Sequence, residues 1–246
     1  MDQLLIALDV ESVRKAMALA DALRGVAGGF KIGSRLFTAE GPSIVRALVE
    51  RGDRVFLDLK FHDIPNTVAT AVAAATSLGV WMVNVHASGG TRMMQAARDA
   101  ARETAAGTGG RPPLVIAVTV LTSMNAAALS ETGHRLTRTS ADDGLLEQVV
   151  RLAKLAQAAG LDGVVASPQE TAILRQRCGA DFAIVTPGIR GGGAATTGKD
   201  DQERTMGPAE AVGAGASYIV VGRPIIAAPD PRRAAETIAE EMATSP

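Results

Sequence analysis

Three charged residues within a short span, Asp58, Lys60 and Asp63, set an anion, a cation and an anion inside the stretch Phe56-Leu-Asp-Leu-Lys-Phe-His-Asp-Ile-Pro-Asn-Thr67. Side chains alternate between the two faces of a strand, so Asp58 and Lys60 share one face while Leu57 and Leu59 share the other. A lysine between two carboxylates is held in its charged form, because nearby opposite charges favour ionisation. Such a lysine is a poor Schiff-base nucleophile and a plausible proton donor. Crowded carboxylates also repel a substrate anion, unless the reaction removes that anion. An ion-pair cluster on the solvent side of a strand end would show the same three residues. Inward placement at the end of a buried strand is what would separate catalysis from that reading.

Other polar residues sit at the ends of apolar runs. Asp9 follows the first run, where it would either face a ligand or cap a helix N-terminus. Lys31 lies between Phe30 and Ile32 and needs a partner, since lysine is almost never buried unpaired; Asp58 on the neighbouring strand is the natural one. Thr119 and Thr122 end the fifth run. After the last run, Gly222 lets backbone N–H groups approach a phosphate and Arg223 adds a bidentate cationic fork. Arg190 and Gln202, in a glycine-rich stretch, could close over the same phosphate, although a plain turn with a surface arginine would read alike. His62, Asp63 and His86 could in principle hold a metal, but their spacing does not favour it, and structural roles are expected. Cys178 is expected to be inert.

The elements that must position these residues alternate regularly. Strand-like apolar runs occupy 4–8, 30–32, 55–59, 81–85, 114–120, 163–166, 182–186 and 218–221. Helical apolar spacing occupies 13–23, 42–50, 66–78, 91–106, 145–159, 168–177, 208–214 and 231–242. The strands are continuous apolar runs, as parallel strands covered on both faces must be. Eight such units in about 250 residues predict a (β/α)8 TIM barrel, a parallel eight-stranded barrel with outer helices, as one domain over 1–246. An open doubly wound sheet is the alternative, but no GxGxxG follows the first strand. Two long connections, 122–143 and 188–207, follow strands five and seven on the face where barrel enzymes keep their active sites.

Composition narrows the function. The 246 residues carry a formal net charge of −1, 47% hydrophobic residues and 3% aromatics. That balance argues against disorder and against binding to nucleic acid polymers. The stretch between Asp63 and Arg92 lacks charge, but its Ala, Thr, Ser and Gly79 read as a helix and a buried strand rather than a membrane span. One cysteine, and an N-terminus without a basic region, lead to the expectation of a cytoplasmic protein with no membrane partner.

Asp58-Leu-Lys-Phe-His-Asp-Ile-Pro-Asn-Thr67 resembles the signature of the orotidine 5′-phosphate decarboxylase family. The similarity runs along the whole chain through Ala7-Leu-Asp9, Phe30-Lys-Ile-Gly33, Val120-Leu-Thr-Ser123, Thr186-Pro-Gly-Ile-Arg190, Asp201-Gln202 and Val221-Gly-Arg-Pro224. The resemblance implies a barrel that removes CO2 from orotidine 5′-phosphate to give UMP in de novo pyrimidine synthesis, without metal or cofactor. It implies that Lys60 protonates the C6 carbanion and that Asp58 sits against the substrate carboxylate. Lys31 would join the charged network and touch the ribose, and Asp9 would bind ribose hydroxyls. Thr122 would meet the pyrimidine, and Arg190, Gln202, Gly222 and Arg223 the phosphate. It further implies a homodimer in which Asp63 and Thr67 reach the site from the other subunit. Three alternatives stay open on the residues alone: a metal-dependent sugar-phosphate decarboxylase or aldolase, a Schiff-base aldolase through Lys60 or Lys31, and a catalytically inert phosphate-binding barrel.

Overall fold

A run apolar at every position cannot rest on a sheet with one wet face, so it needs a cover on both sides. The computed structural model describes residues 2–133, 141–191 and 206–244 and supplies those covers by closing the sheet. The strands are β1 (Leu4–Ala7), β2 (Gly29–Gly33), β3 (Val55–Phe61), β4 (Met82–His86), β5 (Leu114–Val118), β6 (Gly163–Val165), β7 (Ala183–Thr186) and β8 (Tyr218–Val221). All neighbours are parallel, in chain order, and β8 pairs with β1 through Leu4–Ile219, Leu5–Val220 and Ile6–Val221. The predicted (β/α)8 barrel is therefore the observed one.

The twofold side-chain period sorts the strands into two cores. Leu5, Ala7, Phe56, Met82, Ile116, Val185 and Val220 face inward and fill the barrel. Leu4, Ile6, Ile32, Leu57, Val83 and Val164 face outward and pack under the helices. Below the inner layer, Trp81 and Tyr218 meet edge to face at 5.1 Å, and the Arg54 guanidinium lies 4.6 Å from the Trp81 ring. These groups close the N-terminal end of the barrel, so an open cavity is left to the C-terminal end.

The helices are α1 (Val13–Leu23), α2 (Ser34–Glu40), α3 (Ser43–Glu50), α4 (Pro65–Ser77), α5 (Gly90–Thr108), α6 (Ala126–Glu131), α7 (Ala141–Ala158), α8 (Thr171–Cys178), α9 (Pro208–Gly213), α10 (Arg223–Ile226) and α11 (Pro231–Ala243). Eight of them match the spacing-based prediction. The short helices α2, α6 and α10 do not appear in it, because one or two turns hold too few apolar residues to show a period. Leu36 is the buried residue of α2. The connection after β5 thus contains α6 and the start of α7 within its described part. The fifth strand ends at Val118, two residues earlier than predicted, and Thr119 donates from both its N–H and its hydroxyl to the Val165 carbonyl. The uncharged stretch after Asp63 forms α4 and β4, and no described helix is long and apolar enough to cross a membrane.

Gly163 shows how tightly the wall closes. It stands between Ile116 of β5 and Ala183 of β7, and a Cβ there would collide with the Ala183 carbonyl oxygen. Relief would require the backbone of a barrel strand to move. Gly163→Ala is expected to destabilise the fold by about 1–3 kcal/mol, the usual cost of overpacking, as read by urea unfolding. An unchanged midpoint would show that the β6–β7 contact yields freely.

Candidate active site

The inward rows of β1, β2 and β3 turn from apolar to charged as they reach the C-terminal end. Ala7 is followed on its row by Asp9, Gly29 by Lys31, and Phe56 by Asp58 and then Lys60. These side chains form one wall of a cavity of about 580 Å³. Its floor is apolar, from Phe56, Val118, Val165, Val185 and Val220, and Thr122, Arg35, Arg190, Gly222 and Arg223 line it nearer the rim. A nucleotide-sized ligand fits such a volume, which lies within roughly 300–1,000 Å³ for small-molecule sites. A second depression of about 590 Å³ opens at the opposite end of the barrel. Among the described residues no lysine or arginine lines it, so these offer no cation to a phosphate.

The charged wall is a continuous alternating row. Asp9 Oδ1 lies 3.3 Å from Lys31 Nζ, Lys31 Nζ lies 3.2 Å from Asp58 Oδ2, and Lys60 Nζ donates to Asp58 Oδ1 at 2.7 Å. Lys31 and Asp58 are buried. Burial opposes the Lys31 ammonium, but Asp58 and then Asp9 outweigh it and hold its pKa above the ordinary lysine value. Burial likewise opposes the Asp58 carboxylate. Lys31, Lys60 and hydrogen bonds from Lys60 and Asn84 overcome it and keep its pKa below the usual carboxylate range. Both groups are therefore charged at neutral pH. Buried ion pairs are poor stability devices, since desolvation consumes much of their attraction. A fixed field in a dry cavity is what such an arrangement is suited to supply.

The backbone is irregular where this row forms. From Leu57 to Phe61 β3 advances four residues, while its partner β4 advances two, from Val83 to Val85. Within that mismatch Lys60 adopts φ 53°, the only positive φ of a non-glycine residue among the described residues. Left-handed backbone costs a side-chain-bearing residue about 1–2 kcal/mol. Its N–H is taken up by the Asn84 Oδ1 at 2.8 Å. A regular strand would also have put Asp58 and Lys60 on one face, but with Cα atoms about 6.6 Å apart; the distorted strand accompanies a direct bond between the side chains.

Lys31 has the predicted partner, Asp58, and gains Asp9 as a second. Asp9 does not cap α1, because Ser12 does so, accepting from the Lys15 N–H. The lysine standing between two carboxylates of one chain is therefore Lys31 rather than Lys60. Asp63 is exposed outside the cavity and accepts from the Ile64 N–H at 2.6 Å. Thr67 is exposed on α4, also outside the cavity. Gln202 lies outside the described residues. Thr122, Arg190, Gly222 and Arg223 all line the cavity, as expected. His62 and His86 lie 5.3 Å apart between ring centroids with their planes tilted by 33°, and burial, then His62, lowers the His86 pKa. Among the described residues no group of three or more His, Cys, Asp or Glu is placed to hold a metal ion. The Cys178 thiol is buried, and burial raises its pKa, in keeping with the expected inertness.

Two residues of this region escaped the sequence reading. Arg35 reaches the cavity from α2, an element that was not predicted. Asn84 lies within a run that the sequence pattern reads as an apolar strand. A lone amide within Met82-Val83-Asn84-Val85 was the available signal, because a buried polar side chain needs partners.

Comparison with known proteins agrees with this geometry. Residues 2–238 match the profile of the "Orotidine 5'-phosphate decarboxylase / HUMPS family". The orotidine 5′-phosphate decarboxylase of Moorella thermoacetica is 53% identical over 242 residues, 98% of this chain and 92% of that protein. The one from Syntrophotalea carbinolica is 52% identical over 243 residues, 99% of this chain and 96% of that protein. The crystal structure of orotidine 5′-phosphate decarboxylase from Lactobacillus acidophilus superimposes with a TM-score of 0.83 at 35% identity, covering 97% of this chain and 98% of that one. An all-parallel closed barrel, a charged row at its C-terminal mouth and near-complete similarity along the sequence place this chain in the orotidine 5′-phosphate decarboxylase / HUMPS family.

Proposed function

We propose that the protein decarboxylates orotidine 5′-phosphate to UMP in de novo pyrimidine synthesis, as a cytoplasmic homodimer and without metal or cofactor. The observation that carries this reading is the buried Asp58 carboxylate, tied to two ammonium groups in a cavity whose rim bears Arg190 and Arg223. Homology to relatives named for that reaction supports it.

In this reading the substrate phosphate binds at Arg190, Gln202, Gly222 and Arg223, the ribose hydroxyls at Asp9 and Lys31, and the pyrimidine at Thr122. The carboxylate then lies against Asp58, two anions in contact. The C6–carboxylate bond breaks, CO2 leaves, and the electron pair stays on C6. The Lys60 ammonium gives its proton to C6, forming UMP, and solvent returns a proton to the amine. Loss of CO2 removes the repulsion with Asp58 while the fixed ammonium faces the growing carbanion charge. Such preorganised charge acts strongly in a water-poor site, and a placed general acid adds about 10²–10⁴-fold. Phosphate binding far from C6 supplies energy that can be spent on positioning the reacting carbon.

Asp58 also bears on the metal-dependent alternative. One of its oxygens already meets the Lys60 ammonium and the Asn84 amide, and the other the Lys31 ammonium. A divalent cation at that carboxylate would have to displace those partners against the repulsion of two lysines. Exposure of Asp63 and Thr67 supports their assignment to the partner's site.

Purified protein mixed with orotidine 5′-phosphate is expected to change the ultraviolet absorbance as UMP forms, at a rate unaffected by EDTA. An unchanging spectrum would remove this reading, and loss of activity with EDTA would favour the metal-dependent one. Lys60→Ala is expected to lower turnover by at least about 100-fold, the smaller end of general-acid effects, while UMP still binds. A smaller loss would assign the proton to another group. Mixing inactive Lys60→Ala and Asp63→Ala proteins tests the shared site. After random subunit exchange about half the dimers are mixed and one site in each is intact, so about a quarter of all sites should recover in a closed isologous dimer. No recovery after verified exchange would place both residues in one chain's site.

A further inference from the structure

Asn84 faces the barrel interior from the middle of β4, between Met82 and His86 on the same row, and is fully buried. It does not line the cavity. Its amide makes two hydrogen bonds, both to the residues of the bulged strand beside it. Nδ2 donates to Asp58 Oδ1 at 2.7 Å, and Oδ1 accepts from the Lys60 N–H at 2.8 Å. The amide has one orientation that serves both partners, since a carboxylate only accepts and a peptide N–H only donates. Asn84 also occupies the place on β4 between the pairs Leu57–Val83 and Phe61–Val85, where the two strands fall out of step. A side chain there reaches across the gap left by the strand mismatch.

We propose that Asn84 is a positioning residue, whose amide ties the Asp58 carboxylate to the left-handed peptide of Lys60 and so sets where the Lys60 ammonium stands. The inference rests on the proposed decarboxylation for its kinetic consequences. Two features make the tie consequential. Lys60 holds a backbone conformation that a lysine does not favour by itself. Its ammonium bonds the same Asp58 oxygen that Asn84 holds, so one amide constrains both ends of the Asp58–Lys60 contact. Without it, the Lys60 peptide is expected to relax toward ordinary strand geometry and carry the ammonium away from the reacting carbon.

The charged and titratable groups around Asn84 are Asp58 and Lys60 on β3, Lys31 beyond Asp58 on β2, and His86 on β4 with His62 against it. From β5 it meets the register of Ile116. Asn84→Ala and Asn84→Asp separate positioning from mere support of the fold. Asn84→Ala is expected to lower kcat by about 10–100-fold, as a reacting group misplaced by about 1 Å does, with UMP affinity near that of the parent protein. In Asn84→Asp the introduced carboxyl, when protonated, can still accept from the Lys60 N–H and donate to Asp58. When ionised it repels Asp58. The ratio of variant to parent kcat should therefore be highest at low pH and fall as pH rises through the raised pKa of a carboxyl pair sharing one proton. The same ratio for Asn84→Ala should be flat. Near-parent kcat for Asn84→Ala, or a flat ratio for Asn84→Asp, would overturn the proposal. If Asn84→Ala does not fold, the pH profile of Asn84→Asp decides alone. A crystal structure of Asn84→Asp at high pH or of Asn84→Ala separates this inference from the proposed reaction: Lys60 should leave its positive φ and its contact with Asp58. An unmoved Lys60 refutes the positioning role even if the parent protein does not act on orotidine 5′-phosphate.

Discussion

A carboxylate taken out of water must be given other partners, and the mouth of this barrel is arranged around that requirement at Asp58. Its two oxygens receive two ammonium groups and one amide, from β2, β3 and β4. Each partner carries a cost of its own. Lys31 is buried and stays charged because Asp58 and Asp9 flank it. Lys60 adopts left-handed backbone, and Asn84 places an amide inside a strand row that is otherwise apolar at its buried positions. Removing Lys31 would leave Asp58 Oδ2 without its cation, and removing Asn84 would leave the Lys60 N–H without its acceptor, so each loss would cost more than one contact.

The barrel makes this arrangement tolerable. Closed parallel pairing leaves no edge along which the strands could shift, and the inner layer of Leu5, Phe56, Met82, Ile116, Val185 and Val220 fills the space beneath the charges. An apolar layer thus lies beneath the charges, and a medium of low polarizability strengthens the interactions between them. Trp81, Tyr218 and Arg54 close the far end. Apolar and aromatic packing thus closes one end of the barrel while the charged row lines the other, an arrangement in line with the division of labour common to this architecture.

Net charge also differs across the cavity. The wall from β1 to β3 alternates and sums to neutrality across Asp9, Lys31, Asp58 and Lys60, whereas Arg35, Arg190 and Arg223 nearer the rim are all cationic. In the proposed reading, a phosphorylated ligand would meet the cationic rim with its phosphate and the alternating row with its far end. Binding and reaction would then fall to different residues on different strands.

Much of this was readable from the sequence. Eight apolar runs with helical segments between them imply a parallel sheet covered on both faces, and their number and the absence of GxGxxG after the first run favour the closed barrel over an open doubly wound sheet. The string Asp58-x-Lys60-x-x-Asp63 carries local information, and the twofold period of a strand is enough to put Asp58 and Lys60 together. Even the partner of Lys31 follows from burial, since a cation between Phe30 and Ile32 has to find an anion nearby. Arg35 was not legible, nor was the left-handed turn at Lys60, and of the role of Asn84 only a lone amide in an apolar run shows. Arg35 depends on a helix too short to show a period. The other two depend on the register between β3 and β4, which joins Lys60 to a residue 24 positions away. Periodicity describes one strand at a time, whereas register is decided when two strands pack and every buried N–H and carboxylate must find a partner. That demand, met only in the assembled barrel, joins the Lys60 N–H and the Asp58 carboxylate to one amide.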